Sequence, residues 1–187
     1  GGEIVLFPTA VDGEGVMHSN TAFGDYPQYY PGVKENAVDN NFTGWMLLSN
    51  KKYVEVSSTL EEFKAGNAVD ENFMTKWVAK TGDPGEYMTI DLGKECDIYA
   101  LQVNFDRHDA KVEVGRGFGP AAALNRYQSY TVGISMDNKT WTTLIDKSNN
   151  GVDNRHDYTE LSQPAKARFV KVENVFTHDS SKFSIQE

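Results

Sequence analysis

Along much of this chain apolar and polar residues alternate with a period of two. Tyr130, Val132, Ile134 and Met136 are separated by Thr131, Gly133 and Ser135, and Tyr99, Leu101, Val103 and Phe105 by Ala100, Gln102 and Asn104. Shorter stretches at 54–57, 87–92 and 169–172 repeat the pattern. Successive strand side chains point to opposite faces, so each run predicts a strand with one face on a core. Turn-forming clusters fall between the runs: Asp83-Pro84-Gly85, Asp91-Leu92-Gly93, Asp137-Asn138-Lys139 and Asn149-Asn150-Gly151. No long segment carries a convincing helical period, and short strands with polar turns predict an all-β antiparallel sandwich or barrel. One short helix is expected at Thr59-Leu60-Glu61-Glu62, a capping box in which hydroxyl and carboxylate satisfy each other's amides. Gly66 would end it.

The first 45 residues read differently. Residues 4–9 and 16–21 look like two strands joined by Asp12-Gly13-Glu14-Gly15, a hairpin signal. Residues 23–32 break regular structure, and a polar stretch at 34–41 leads to Trp45. The expected division is an N-terminal extension over 1–45 and a main domain over 46–187. A lone hairpin is marginal in water, so the extension is expected to pack on the main domain or on a preceding one.

Composition narrows the function classes. The 187 residues hold 27 Asp and Glu against 18 Lys and Arg, a formal net charge of −9. That balance argues against binding nucleic acid or anionic lipid, both of which need a positive footprint. No apolar run approaches the roughly 18 residues that a membrane span needs, and no signal-peptide pattern opens the chain. Cys96 is the one cysteine, which excludes an intrachain disulfide and a cysteine-based zinc site.

Five landmarks in order carry a family resemblance. They are Leu47-Leu48-Ser49-Asn50-Lys51-Lys52-Tyr53-Val54-Glu55-Val56-Ser57-Ser58; Asn67-Ala68-Val69-Asp70-Glu71-Asn72-Phe73-Met74-Thr75-Lys76-Trp77; Tyr87-Met88-Thr89-Ile90-Asp91-Leu92-Gly93-Lys94; the stretch 130–141; and Ala167-Arg168-Phe169-Val170-Lys171. Together they resemble the coagulation factor 5/8 type C, or discoidin-like, family. The resemblance implies a jelly-roll β-sandwich of a kind that binds carbohydrate in many bacterial members. Glu71 departs from the pattern, standing where the family usually has Gly, and the cysteine pair of the animal members is absent. Gly24-Asp25-Tyr26-Pro27-Gln28-Tyr29-Tyr30-Pro31 resembles the junction between a catalytic propeller and such a domain in bacterial glycoside hydrolase family 43 proteins.

The resemblance implies a structural Ca²⁺ held by Asp70 and Thr75 and closed by Glu187. A hard cation wants about six to eight oxygens, and a turn with a carboxylate, a hydroxyl and carbonyls supplies several. The alternative is a plain capped turn in which Asp70 bonds its own backbone amides. It also implies a carbohydrate site with Arg107 forking onto sugar hydroxyls, His108 as a further donor or acceptor and Phe183 stacking on the sugar face. The alternative pairs Arg107 with Asp106 or Asp109 and puts Phe183 in the core.

Other tempting signals read as structural. His108-Asp109, His156-Asp157 and His178-Asp179 lack helical spacing and a neighbouring nucleophile. Gly115-Arg116-Gly117-Phe118-Gly119 lacks the Lys-Ser/Thr and helix of a phosphate cradle, and reads as a loop near the ligand face. Trp77 and Trp141 are expected as core anchors, and Trp45 at the seam between the two parts. The Asn41 and Asn138 sequons carry little meaning in a bacterial protein.

The resulting expectation is a non-catalytic carbohydrate-binding accessory module of a secreted bacterial glycoside hydrolase, with a plant or host glycan and the catalytic propeller as partners. By resemblance it works in the periplasm, at the cell surface or outside the cell. The alternative is a structural domain that supports the propeller without a sugar site; membrane insertion, phospholipid binding and nucleic-acid binding are not expected.

Overall fold

The computed structural model of the chain describes residues 9–11, 17–19, 47–109, 127–178 and 181–187. It comprises two compact units, Gly1–Leu47 and Leu48–Glu187. In the first unit β1 (Thr9–Val11) and β2 (Met17–Ser19) pair antiparallel, Thr9 opposite Ser19. This is the hairpin that the pattern predicts, its described pairing beginning at Thr9; residues 4–8 and the connecting turn lie outside the described residues.

The second unit is a β-structure around one core. Its elements are β3 (Tyr53–Val56), a 3₁₀ turn η1 (Ala65–Val69), β4 (Trp77–Val78), β5 (Tyr87–Asn104), β6 (Gln128–Ser135), β7 (Thr142–Lys147), β8 (His156–Thr177) and β9 (Ser184–Ile185). A five-stranded antiparallel sheet runs β3-β5-β8-β6-β7, and β4 pairs with β9 in a second, two-stranded sheet. Val54, Val56, Met88, Ile90, Val132, Ile134, Val170 and Val172 turn inward from the large sheet, and Trp77, Phe183 and Ile185 join them from the segment around the small one. The rings pack edge to face: Trp77 meets Phe183 at 5.7 Å between centroids, and Phe105 meets Tyr130 at 5.0 Å.

Two features shape the long β5–β8 pair. The ladder shifts register between Asp91 and Cys96 and again between Ile98 and Ala100, the kind of irregularity at which strands bend. Gly93, with φ at 85°, turns the first shift, its amide held by the Asp91 carboxylate at 2.8 Å. That carboxylate also accepts two 2.9 Å bonds from the Arg168 guanidinium across the pair. The second shift reverses the alternation locally, so Ile98 enters the core while Tyr99 faces solvent.

Two expectations are corrected here. The helix at Thr59 does not form: the Trp77 indole N–H lies 3.1 Å from the Ser58 carbonyl and 3.3 Å from the Thr59 hydroxyl, which therefore serves the core tryptophan. Gly66 lies inside η1 and does not terminate a helix. Trp141 is not a core residue. It is partly exposed against Gly133 on the outer face of the large sheet, where a Cβ on Gly133 would stand 3.3 Å from its ring, and the Lys171 ammonium lies 4.8 Å from its centroid.

Several connections gather in one region of this unit. Tyr87 opposes Glu173, Gln128 opposes Thr177 and Tyr130 opposes Lys147 at one end of the bent β5–β8 ladder, while Asn104 opposes His156 at its other end. The two ends approach each other, since the Tyr130 hydroxyl donates to Asp157 at 2.9 Å and Lys147 stands 3.6 Å from the same carboxylate. The segments that follow β3, β4, β7 and β8, and the first residues after β5, meet there. Backbone bonds tie them: Phe105 N–H to Arg155 at 2.8 Å, Asp106 N–H to Ser184 at 3.0 Å, Lys182 N–H to His108 at 3.0 Å and Phe183 N–H to Thr81 at 3.0 Å.

Candidate functional site

The segment Asp106-Arg107-His108-Asp109 leaves β5 just after a bridge between Phe105 and Ile185 anchors it to β9. Asp109 takes a left-handed φ of 60°, which a short carboxylate side chain tolerates better than most. This turn presents Arg107 and His108 side by side at the gathered end.

Their surroundings are polar and paired. Arg107 donates through Nη2 to the Asp153 carboxylate on the β7–β8 connection. Its Nε is buried and, among the described residues, has no hydrogen-bond partner. The His108 ring packs edge-on against Phe63 at 4.7 Å, and its Nε2 stands 3.6 Å from Asp109. Lys182 donates to the other oxygen of Asp109 at 2.8 Å. The Lys182 hydrogen bond, outweighing partial desolvation and aided by the positive field of His108 and the lysines, holds the Asp109 carboxyl below its ordinary value. Asp106 accepts from Lys76 at 2.5 Å and lies 3.8 Å from Arg155, while Lys76 also sits 5.3 Å from the Phe63 ring. Four cationic side chains and three carboxylates thus surround the Phe63–His108 contact.

The sequence expectations fare unequally at this end. Arg107 and His108 come together, but Arg107 pairs with Asp153 and not with Asp106 or Asp109. Phe183 is not a stacking residue: it is fully buried, wedged between Trp77 and Phe105, and a ring without an exposed face has none to offer a sugar. Phe63, Lys182, Lys76 and Asp153 were not anticipated. Phe63 lay within the expected helix, and the others approach the site only through the fold. The glycine-rich stretch 115–119, Trp45 and the aromatic stretch 26–30 lie outside the described residues.

The 70–75 turn is a separate place. Glu71 adopts a φ of 61°, the left-handed conformation that glycine takes without strain. The Thr75 hydroxyl lies 2.9 Å from each Asp70 oxygen, 2.7 Å from the Asn72 carbonyl and 3.4 Å from the Asn67 carbonyl. A hydroxyl has one proton to give, so acceptors outnumber donors there, and such an all-oxygen set fits a hard cation. Asp70 also accepts the Asn72 amide at 3.0 Å, the capped-turn arrangement. Gln186 reaches this turn, its side chain donating to the Phe73 carbonyl at 3.3 Å, whereas the Glu187 carbonyl accepts from the Asn104 amide at the end of β5, at 2.6 Å. Among the described residues no three His, Cys, Asp or Glu side chains converge, so a cation here would depend on carbonyl and hydroxyl oxygens as well.

Residues 52–186 match the F5/8 type C domain family. The chain belongs to that family. This F5/8 type C domain has the discoidin-like jelly-roll architecture of solved carbohydrate-binding modules. One is chitosan-binding module 2 of a chitosanase/glucanase from Paenibacillus sp. IK-5, solved with chitotriose: 20% identical, covering 75% of this chain and 96% of that one, TM-score 0.60. CpGH89CBM32-6 of Clostridium perfringens is 26% identical over 72% of this chain and 91% of its own, TM-score 0.54. CpGH89CBM32-4 of the same organism, in complex with GlcNAc-α-1,4-galactose, is 14% identical over 78% and 92%, TM-score 0.59. No curated protein matches the sequence.

Proposed function

We propose that this F5/8 type C domain is a carbohydrate-binding accessory module that acts on no bond itself and holds a parent glycoside hydrolase to a glycan. The observation that carries the reading is the Arg107–His108 pair at the end where the inter-strand connections meet. Arg107 offers a planar fork of donors matched to vicinal hydroxyls, and His108 adds a ring nitrogen beside it. The Phe63 ring fixes the imidazole from the side and leaves the polar edge to the ligand. A single such site binds weakly and gains from being tethered to an enzyme already on its substrate. The parent is envisaged as a secreted or cell-surface bacterial enzyme of the family 43 type, with the first unit continuing from its propeller. The glycan is of plant or host origin.

A specific observation favours a second reading, in which the domain only supports its catalytic partner: the Arg107 guanidinium already has a carboxylate, so a sugar must displace Asp153 or share the fork. Titrating the chain with galactose-, xylose-, arabinose- and glucosamine-containing oligosaccharides separates the two. Saturable heat for one class supports the module, whereas silence across the panel supports the scaffold.

Calcium belongs to this proposal as a structural ion. Asp70, Thr75 and the neighbouring carbonyls would hold it, Glu187 would close it, and its charge would offset the excess of acceptors around the Thr75 hydroxyl. Its part is to fix the turn against the C-terminus.

A further inference from the structure

Glu86 is buried, and among the described residues it is held by hydroxyls and an amide and not by a cation. Its carboxylate accepts hydrogen bonds from three hydroxyls: Ser57, Ser58 at 2.8 and 2.9 Å, and Thr81 at 2.7 Å; the Thr81 amide adds a fourth donor at 3.3 Å. Each hydroxyl in turn accepts a backbone N–H, Ser57 from Tyr87 at 2.9 Å, Ser58 from Lys80 at 2.9 Å and Thr81 from Asp83 at 3.2 Å. The network therefore runs one way, from amide to hydroxyl to carboxylate. The Ser58 and Thr81 hydroxyls spend their protons on Glu86, and Ser57 does so in preference to the Tyr87 carbonyl 3.4 Å away, so the ionised acid completes the scheme; a protonated one leaves a donor facing a donor at Ser58 or Thr81.

Two paths lead from this cluster to His108. Ser57 and Ser58 open the segment that carries Phe63, whose ring packs on the imidazole, and the Ser58 carbonyl is fixed by the Trp77 indole. Thr81 holds the Phe183 amide through its own carbonyl, and the adjacent Lys182 amide donates to the His108 carbonyl. We infer that Glu86 is a positioning residue for the Arg107–His108 end, clamping the two segments that flank His108 and releasing both when its carboxylate is neutralised. This rests on the reading of that end as the ligand site, which it deepens by assigning its pH dependence.

Burial alone pushes the Glu86 carboxyl up; the bonds from Ser57, Thr81 and Ser58 and from the Thr81 amide outweigh it and leave the group below its ordinary value. A lowered folded-state value means the contribution is present above the unfolded value and is lost as pH falls through the folded one. Neighbouring charges do not supply the effect. Lys80 and Asp83 meet the cluster through backbone amides, Glu55 takes the Tyr87 hydroxyl at 3.4 Å, and Glu173, opposite Tyr87, pairs with Lys171 at 2.9 Å.

The test is residue-resolved amide hydrogen exchange on the full chain, wild type and Glu86→Gln, from about pH 6.5 down to about pH 3, corrected for intrinsic exchange. The glutamine amide donates where the carboxylate accepted. The expected result is protection lowered about tenfold at Lys80, Asp83 and Tyr87 and also at Phe63 and Lys182, the factor that loss of a bond to a charged acceptor brings. In the wild type the same five amides loosen together on acidification; in Glu86→Gln that step is missing. Loosening confined to Lys80, Asp83 and Tyr87, with Phe63 and Lys182 unmoved, overturns the inference. If Glu86→Gln does not fold, Ser58→Ala removes one arm and is expected to loosen Lys80 and Phe63, and unchanged Phe63 protection there is equally fatal. The readout needs no sugar, so a failed glycan titration beside intact coupling counts against the binding reading alone.

Discussion

Replacing Phe183 by alanine distinguishes a core ring from a ligand platform, because the two roles predict opposite pairs of effects. The side chain is fully buried, edge-on to Trp77 at 5.7 Å and tilted against Phe105 at 6.1 Å. Truncating a buried Phe to Ala costs about 3–5 kcal/mol, the transfer of the ring plus the cavity left behind. The backbone bonds from Ala79 N–H to the Phe183 carbonyl and from Phe183 N–H to Thr81 survive the change, so the β4–β9 edge keeps its ladder and the cost is one of packing. At about 2–4 °C per kcal/mol for a chain of this length, the melting temperature falls by about 6–20 °C. Phe183→Leu keeps most of the volume and is expected to cost less. Urea denaturation followed by tryptophan emission gives the free energy, with an independent thermal scan by calorimetry. An unfolding free energy within about 1 kcal/mol of the wild type, together with loss of sugar binding, would refute the reasoning, because a residue so placed must show its cost in stability first.

Two further outcomes follow from the same geometry. Gly82→Ala places a Cβ 2.2 Å from the Ser181 carbonyl oxygen and 3.3 Å from Thr177 Cβ, so the backbone there must move; denaturant titration is expected to show a loss of about 1–3 kcal/mol. If calcium holds the 70–75 turn, chelation lowers the melting temperature of the wild type and leaves Asp70→Ala, already without its carboxylate ligand, unmoved. An equal response of the two proteins in a thermal scan counts against the ion.

How far the sequence reaches can be seen at single residues. Alternation located β3, β6 and the end of β8 because each has one buried face, and Val54, Val132 and Val172 turn inward as predicted. It divided β5 in two at Gly93, where the ladder with β8 bends and resumes. It also placed Tyr99 on the inner face, since the shift between Ile98 and Ala100 is set by the partner strand and leaves no local mark. Trp77 and Trp141 look alike in the chain; the clue that separates them is Gly133, whose missing side chain makes room for a ring on the outer face. Thr59 has the composition of a helix cap, but a tertiary contact to Trp77 takes the hydroxyl, and local propensity yields to it.

The site divides the same way. Arg107 and His108 are adjacent and were legible as a pair. Asp153, 46 residues from Arg107 along the chain, reaches it only because β7 and β8 bring that connection to the same end. Phe63 and Lys182 arrive from opposite sides of the sequence, and no spacing rule could have joined them to His108. Phe183 follows the alternative and not the resemblance: an aromatic near the C-terminus suits either a platform or a core, and burial alone separates the two.

The most direct measurement of the central claim is titration calorimetry of the full chain with the oligosaccharide panel, in parallel on wild type and Arg107→Ala. The account predicts saturable binding to one sugar class by the wild type and at least about a tenfold loss in the variant, since the guanidinium supplies charged hydrogen bonds to the ligand. Thermal stability should stay near that of the wild type, because Arg107 is partly exposed and its bond to Asp153 is a surface pair. Binding that is unchanged in Arg107→Ala, or absent from the wild type across the panel, contradicts it.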